Sequence, residues 1–468
     1  MVNWLQHETG GLLTLCALAI ALLLVLIIKV KLEPFISLLI CGLLLGLAAG
    51  LSVEQLVGTA LSAKTSLLET GFGAILGHIA PIIGLGTILG AILEASRGAD
   101  VLTRKLLGVF GERGAPLAMG LAGIIFGIPV FFDIGIFVLA PLVYVTAKRG
   151  GRSLVLYAMP LLAGLSMTHA FLPPHPGPVA ASGFLGVSLG WLIVMGLVCG
   201  IPAFLAAGVA WGAWIGKRIF VEVPEDFIVA EEEARAEAAE KGVERTEPSL
   251  SLVLGIIAVP LVLILLATFG TVWWEDSPAL PVLTFFGNPA VALTIAVLLA
   301  MWLLGLRRGF SARELQDLSS KSLRPIGMIL LVVGAGAFFG AVISATGVGK
   351  ALASAMSDAG LPLIVLAYLI SCGLRLAQGS ATVAIATTSG IVAPLLKGED
   401  FSQPHIALIA VAISAGSIIA SHVNDGGFWI VSRYFNMSVR DTLKTWTVLE
   451  TILSVVGFAV AALLSVFI

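Results

Sequence analysis

The stretch IGLGTILGAILEAS, residues 83–96, returns later in the chain as VGAGAFFGAVISAT, residues 333–346. Small residues recur at matching positions, with Gly84, Gly86, Gly90 and Ala91 aligning with Gly334, Gly336, Gly340 and Ala341. Two further pairs keep a similar offset: Ala140-Pro141 with Ala393-Pro394, and Ala163-Gly164 with Ala415-Gly416. A duplicated unit of about 250 residues therefore accounts for nearly the whole 468-residue chain.

The chain is too apolar for a water-soluble fold, with 58% hydrophobic and 12% charged residues. Its apolar runs are each close to the roughly 20 residues that a membrane-spanning helix needs. They cover residues 11–28, 35–51, 74–93, 153–168, 186–215, 250–270, 283–305, 326–345, 404–420 and 446–468. Continuous runs predict helices rather than the alternating strands of a membrane barrel. The predicted fold class is therefore an all-α polytopic protein embedded in lipid.

Duplication in such an apolar chain is typical of secondary transporters, which place a substrate site where two repeats meet. A net charge of −2 without a basic tail gives no support for nucleic-acid binding. The first apolar run follows a segment that lacks Lys and Arg and precedes Lys29 and Lys31, so we expect it to be a retained span rather than a signal peptide.

Basic side chains orient the chain, because cytoplasmic loops of membrane proteins collect Lys and Arg. If every basic cluster faces the cytoplasm, each repeat has five spans, and this odd number inverts the second repeat relative to the first. The first repeat covers residues 1–216 and the second covers residues 250–468. Residues 217–249 form a cytoplasmic linker that holds ten of the 28 acidic residues. Both termini are then predicted to be periplasmic or extracellular.

Two segments are predicted to be re-entrant helical hairpins. Residues 115–147 must start and finish on the cytoplasmic side, yet their two arms, which flank Gly127 and Asp133, are too short for two crossings. A hairpin whose tip lies near the bilayer midplane satisfies both conditions. The corresponding segment 361–396 predicts a second hairpin that enters from the opposite side, with its tip near residues 378–382.

Four segments are too polar to span the membrane. They are residues 53–70, 97–110, 311–324 and 348–358. They are predicted to be interfacial amphipathic helices that connect a scaffold to moving parts, and plain loops are an equally good interpretation.

The stretch MTHAFLPPHPGPVAAS, residues 167–182, predicts a helix break over residues 169–178. The residues that cannot continue a helix are Pro173, Pro174, Pro176 and Gly177. His169 precedes this cluster, and His175 lies beside Pro174 and Pro176. Unwound backbone inside a membrane must be enclosed by protein or line a cavity, so the break points to a functional site.

The stretch ASHVNDGGFWIVS, residues 420–432, predicts the matching break of the second repeat over residues 422–427. The polar and flexible residues of this break are His422, Asn424, Asp425, Gly426 and Gly427. Half-helices that start after such breaks present free amide donors and a positive dipole end, which suit an anionic group.

Polar side chains inside a membrane cost a few kcal/mol each, so those that remain after the loops are assigned are candidate site residues. The candidates for substrate binding are His169, His175, Arg375, Gln378, Ser380, Thr382 and Asn424. The candidates for proton coupling are Asp133, Asp425 and His422. Arg375 could hold a carboxylate through its planar guanidinium, and the hydroxyls at the second hairpin tip could bind substrate hydroxyls. Burial would favour the neutral, proton-carrying form of Asp133.

Each of these residues also has a structural interpretation. Asp133, Asp425 and the hydroxyl side chains could cap helices. Arg375 could neutralise backbone carbonyls at an interface, and a membrane histidine could be a structural donor. His78 and Glu94 are expected to pack within the third apolar run or to lie at a helix end, and its glycines are expected to allow close helix approach rather than to bind phosphate.

The chain resembles the gluconate permease (gluconate:proton symporter) family of the ion-transporter superfamily. The resemblance covers essentially the whole chain and rests on GHIAPIIGLGTILGAILEASRGAD (77–100), GIPVFFDIGIFVLAPL (127–142), MTHAFLPPHPGPVAAS (167–182) and SHVNDGGFW (421–429). It implies an inner-membrane, proton-driven symporter for gluconate or a related small acid, working as a dimeric elevator. Glycerate, fructuronate or D-serine as cargo, and sodium as the coupling ion, are equally compatible with the family.

Two other classes are weaker interpretations. An intramembrane enzyme could use His169, His175 and Asp425 as metal ligands, but the sequence has no His-Glu-x-x-His helix and no matched nucleophile and base. A passive channel would need a continuous polar stripe through several helices, whereas polarity is confined to the breaks. The sequence therefore predicts a carrier that is not an enzyme and needs no cofactor or metal.

Overall fold

The computed structural model describes residues 2–59, 65–223, 247–274, 276–324, 326–348, 351, 362–396, 400–422 and 425–468. These residues form helices and connecting turns without any β-strand. Among them, nine helices are long and apolar enough to cross a membrane. The prediction of an all-α polytopic membrane protein is confirmed.

The described helices fall into two sets of ten. The first set is α1 (Val2–His7), α2 (Thr9–Ile28), α3 (Pro34–Ala48), α4 (Val53–Val57), α5 (Leu67–Ala95), α6 (Gly98–Gly127), α7 (Phe132–Gly150), α8 (Leu154–Phe171), α9 (Pro176–Leu185) and α10 (Leu189–Ile215). The second set is α11 (Leu250–Trp273), α12 (Leu280–Gly287), α13 (Pro289–Arg308), α14 (Ala312–Leu323), α15 (Ile326–Ala345), α16 (Leu363–Gln378), α17 (Ala381–Val392), α18 (Gln403–Gly416), α19 (Gly426–Tyr434) and α20 (Val439–Leu464).

The order of helices is the same in the two halves. The long helices α5 and α15 carry the repeated glycine motif, and each is followed by a helical hairpin, α6–α7 or α16–α17. A broken pair comes next, α8–α9 or α18–α19, and each half ends with a long helix, α10 or α20. The shared order agrees with a duplication, while the inverted orientation of the halves and their boundaries stay predictions.

Each hairpin has a tip of only a few residues. In the first hairpin the tip is residues 128–131, and its leading arm starts after Gly111, whose positive φ of 63° interrupts α6. In the second hairpin the tip is Gly379, with φ of 78°, followed by Ser380 at the N-cap of α17. A positive φ is costly for residues with a side chain, which explains glycine at this sharp turn. How deeply the tips enter the bilayer stays a prediction.

Both helix breaks are placed differently from the sequence-based ranges. Pro176 and Gly177 belong to the first turn of α9, so only residues 172–175 are unwound. Proline fits this first position because its missing N–H has no partner there in any helix. Gly426 and Gly427 likewise begin α19, and the non-helical stretch starts earlier, after Gly416. Asn424 lies outside the described residues.

Two of the polar segments form helices beside the spans. Segment 311–324 is helix α14, which begins with a capping box between Ser311 and Glu314 and buries Leu315. Segment 97–110 is the part of α6 before its interruption at Gly111. Segment 53–70 contains the short α4 and the start of α5. Most of segment 348–358, and residues 224–246 of the predicted linker, lie outside the described residues.

The repeated glycine motif lets α5 and α15 approach the two hairpins. A Cβ atom at Gly90 would lie 2.4 Å from the carbonyl oxygen of Pro129, at the first hairpin tip. At the matching position, a Cβ atom on Gly340 would lie 2.5 Å from the carbonyl oxygen of Gly390 in α17. Both contacts are possible only for glycine, so the motif holds each hairpin against its neighbouring long helix.

We expect Gly90→Ala to lower the thermal stability of the detergent-purified protein, because the methyl group overlaps the Pro129 carbonyl and overpacking costs about 1–3 kcal/mol. Gly77→Ala on the same helix is the control, since a Cβ atom there would meet no atom of the described residues within 4 Å. Alanine favours helix over glycine, so the control variant should be at least as stable as the parent. Equal melting temperatures for the two variants would contradict this packing role.

Candidate functional site

A cavity of about 760 Å³ lies where the two hairpin tips and the second helix break meet. Three helices contribute their first residues to its wall. These residues are Phe131, Phe132 and Asp133 of α7, Ser380, Ala381 and Thr382 of α17, and Asp425, Gly426 and Gly427 of α19. The first amide groups of a helix have no partner within that helix. The cavity is therefore surrounded by backbone donors and by the positive ends of three helix dipoles.

The three helix starts are capped in different ways. Asp425 accepts a hydrogen bond from the Gly427 amide at 2.9 Å, and the Ser380 hydroxyl accepts one from Val383 at 3.4 Å. Phe131 stands at the N-cap of α7, where its side chain can accept no hydrogen bond. The amides at the start of α7 are therefore open to a bound anion in the cavity.

Arg375 and Asp425 form a buried ion pair on the cavity wall. Arg375 Nη2 lies 2.5 Å from Asp425 Oδ2, and the exposed fractions of the two side chains are 4% and 13%. Arg375 also donates to the carbonyl oxygen of Gly379 at the second hairpin tip. The pair thus joins this tip to the second break, and the predicted carboxylate clamp already holds a carboxylate of the protein itself.

A hydrogen-bonded chain continues from this ion pair to α20. The Ser421 hydroxyl donates to Asp425 Oδ2, and Trp446 Nε1 donates to the Ser421 hydroxyl oxygen at 2.8 Å. Thr447 donates its hydroxyl proton to the Ser421 carbonyl at 2.5 Å. The unwound backbone before α19 is therefore anchored to the last spanning helix.

The two predicted histidines have different environments. His169 is the one residue of α8 that is not buried, and it lines the cavity. Its Nδ1 has no hydrogen-bond partner among the described residues. His175 is buried at the N-cap of α9, and its Nε2–H donates to the Gly127 carbonyl at 2.6 Å. The rings are 4.8 Å apart, so His175 supports His169 rather than facing the cavity.

The remaining predicted residues are divided between the cavity and its surroundings. Asp133 lines the cavity within electrostatic reach of Asp425, and Thr382 lines it at the second tip. The His422 Nδ1–H donates to the Ala420 carbonyl at 2.9 Å, and His422 is not part of the cavity lining. Gln378 ends α16, but its side chain lies outside the described part of the structure, as does all of Asn424.

Sequence reasoning missed several polar residues of the cavity wall. They are Thr87, Ser166, Lys321, Ser322, Trp446 and Glu450, joined by Glu94, which had been expected to pack or to lie at a helix end. Glu450 had a usable signal, because it is the one acidic residue of the apolar run 446–468. Within the residues that the structure describes, no group of three His, Cys, Asp or Glu side chains could hold a metal ion.

We expect Asp425→Asn to destabilise the protein strongly, because it leaves the buried Arg375 charge unpaired, at a cost of about 3–5 kcal/mol. The double variant with Arg375→Gln should lose less stability than the two single variants together. Thermal unfolding in detergent measures both effects. Asp100→Asn is the matched control, since its partner Arg97 is 52% exposed and such pairs contribute about 0–1 kcal/mol. Strict additivity of the single variants would show that the pair is not coupled.

Comparison with known proteins places the chain in one family. The model of the GntP family permeases matches residues 12–467. A gluconate permease of Pseudomonas aeruginosa is 39% identical over 98% of this chain and 99% of its own length. The inner membrane permease YgbN of Escherichia coli is 40% identical over 97% of this chain and 98% of its own. The low-affinity gluconate transporter of Escherichia coli is 34% identical over 94% and 95%.

Solved structures with a similar fold are also transporters. The YdaH transporter of Alcanivorax borkumensis has a TM-score of 0.58 at 15% identity and covers 92% of this chain and 97% of its own. MtrF of Neisseria gonorrhoeae, described as an antimetabolite efflux pump, has a TM-score of 0.55 at 18% identity and covers 99% and 96%. At these identities the likeness concerns the fold alone. The family match and the curated relatives decide the class: the chain belongs to the GntP permease family, and it is a multi-pass membrane transporter.

Proposed function

We propose that this transporter is a secondary carrier that takes up gluconate, or a closely related small hydroxy acid, across the inner membrane together with protons. Relatives at 34–39% identity over nearly the whole chain bear the names gluconate permease and gluconate transporter, which supports the substrate class. Their likeness to this chain does not identify the individual acid.

The convergence of three helix N-termini on one cavity is the observation that carries this proposal. A carboxylate placed against the starts of α7, α17 and α19 would accept hydrogen bonds from backbone amides and gain from three dipoles. Arg375 lies in the same wall and would add a cation. This set of backbone donors and Arg375 suits an anion.

The remaining polar groups suit a chain of hydroxyls. Ser380 and Thr382 at the second tip, together with Ser166 and His169 on α8, line the cavity. Its volume of about 760 Å³ is within the usual 300–1,000 Å³ of small-molecule sites. We therefore assign the carboxylate to the helix starts and the hydroxyl groups to these side chains.

Charge balance supports coupling to protons. Among the described lining residues, the carboxyl groups of Glu94, Asp133, Asp425 and Glu450 outnumber the basic groups of Arg375 and Lys321. An anion entering this cavity meets net negative charge unless a carboxyl group first takes up a proton. Proton binding and anion binding would then favour each other. Sodium held by carbonyl groups of the unwound segments is the alternative means of neutralisation.

We propose that transport follows an elevator mechanism in a homodimer. Residues 74–185 and 326–440 would move as one unit, carrying both hairpins and both broken helices, against a scaffold of the remaining spans. The cavity is bounded by both parts, since Asp133 and Arg375 belong to the moving unit while Trp446 and Glu450 belong to the scaffold. Relative motion of these parts would open the site to each side in turn.

Uptake of labelled gluconate into proteoliposomes tests the proposal. With the interior more alkaline by one pH unit, we expect about tenfold accumulation for each coupled proton, since one unit corresponds to about 1.4 kcal/mol. Parallel assays with a sodium gradient, and competition by glycerate, fructuronate and D-serine, separate the coupling ion and the cargo. Accumulation that ignores the pH gradient, or competition by D-serine alone, would contradict the proposal.

We expect Thr382→Val to raise the KM for gluconate about two- to tenfold, because it removes one neutral hydrogen bond of about 0.5–1.5 kcal/mol while keeping the shape of the side chain. The maximal rate should change little. Thr294→Val on the exposed face of α13 is the matched control and should leave KM unchanged. An unchanged KM in Thr382→Val would place the substrate away from the second hairpin tip.

A further inference from the structure

Glu450 is a buried carboxyl group that borders the cavity, and it forms no ion pair within the part of the chain that the structure describes. It lies on α20, one turn after Trp446, and its exposed fraction is 1%. Its Oε1 is buried and has no hydrogen-bond partner in the part of the chain that the structure describes. A buried carboxylate without a cation is costly, and binding a proton removes that cost.

The charged groups that act on Glu450 already form an ion pair with each other. Ser166 of α8 lies beside it, and Arg375 of α16 and Asp425 of α19 act on it electrostatically. Arg375 is paired with Asp425 at 2.5 Å, so its charge is shared with another carboxylate. The other titratable groups that face the cavity are His169, Asp133, Glu94 and Lys321.

Of the three other acidic groups of the cavity wall, Asp425 and Asp133 are held as a hydrogen-bond acceptor or at a helix start. Asp425 accepts bonds from Arg375 and the Ser421 hydroxyl on one oxygen and from the Gly427 amide on the other. A proton on Asp425 would compete with these donors. Asp133 lies in the first turn of α7, where the helix dipole favours a negative charge. Glu450 lies in the interior of α20, and its one side-chain donor is the neutral Ser166 hydroxyl, with Oε1 left without a partner among the described residues.

We propose that Glu450 carries the coupled proton of the transport cycle. A proton bound to its carboxyl group lowers the negative charge of the cavity and allows the anion to enter. After the cavity opens to the cytoplasm, water reaches the carboxyl group, the proton leaves to the cytoplasm, and the negative charge helps to expel the anion. This inference rests on the proposed proton-coupled function, and it replaces Asp133, Asp425 and His422 in the role of proton carrier.

The test is Glu450→Gln, which keeps the shape and mimics the protonated group. In proteoliposomes with a one-unit pH gradient, wild type should accumulate gluconate about tenfold per coupled proton, whereas the variant should only equilibrate it. Exchange of external labelled gluconate for internal gluconate needs no net proton movement, so the variant should retain it. Wild-type exchange should fall as pH rises, because the carboxyl group loses its proton, while the exchange of the variant should not.

Glu69→Gln is the control for an acid-to-amide change, since Glu69 is exposed in the first turn of α5. It should accumulate and exchange gluconate as wild type does. Accumulation by Glu450→Gln at the wild-type level would overturn the inference while leaving proton symport intact. Absence of gradient-driven accumulation by wild type would instead reject the proposed function itself.

A second variant covers the case in which Glu450→Gln neither accumulates nor exchanges. Glu450→Asp keeps a titratable group and should retain accumulation, with the pH profile of exchange displaced from that of wild type. A Glu450→Asp profile identical to that of wild type would overturn the inference. So would a monodisperse Glu450→Gln whose melting temperature no longer rises with added gluconate, because that result makes Glu450 a substrate ligand.

Discussion

Backbone groups at helix ends must be satisfied inside a membrane, where water is scarce, and the architecture of this transporter follows from that constraint. Its two hairpins and two broken helices create helix ends within the bundle. One of these ends is satisfied internally, since His175 Nε2–H donates to the carbonyl oxygen of Gly127, the last residue of α6. Three others open onto one cavity, where a bound anion can satisfy them. In the proposed mode of binding, the substrate would complete hydrogen bonding that the fold leaves unfinished at the start of α7.

The buried charges of Arg375 and Asp425 are likewise satisfied by a partner within the protein. The Arg375–Asp425 pair places a cation beside the helix starts without leaving it unpaired. An incoming carboxylate would compete with Asp425 for Arg375, so binding exchanges one ion pair for another rather than burying a new charge. The chain from Asp425 through Ser421 to Trp446 connects this ion pair to α20, the helix that also carries Glu450.

Much of this arrangement could be predicted from sequence because hydropathy, proline and glycine report directly on backbone conformation. The spans, both hairpins and the existence of both breaks have local signals, and Asp133, His169, Arg375 and Thr382 stood out as polar residues in those places. Other features are tertiary. One such feature is the direction in which His175 and His422 face, and another is the pairing of Arg375 with Asp425. Both depend on how each helix is rotated about its axis, and the sequence of an evenly apolar helix does not indicate that rotation. Break limits also shifted, because proline is tolerated at a first helical position.

The two repeats share a backbone plan but differ in chemistry at equivalent places. The residue at the N-cap of α9 is His175, enclosed and bonded to a backbone carbonyl, whereas the equivalent position before α19 is Asp425, which faces the cavity. Likewise the first hairpin tip presents Phe131 and the second presents Ser380. Duplication therefore supplied a site with converging helix ends, and divergence of side chains gave that site one polar and one aromatic wall.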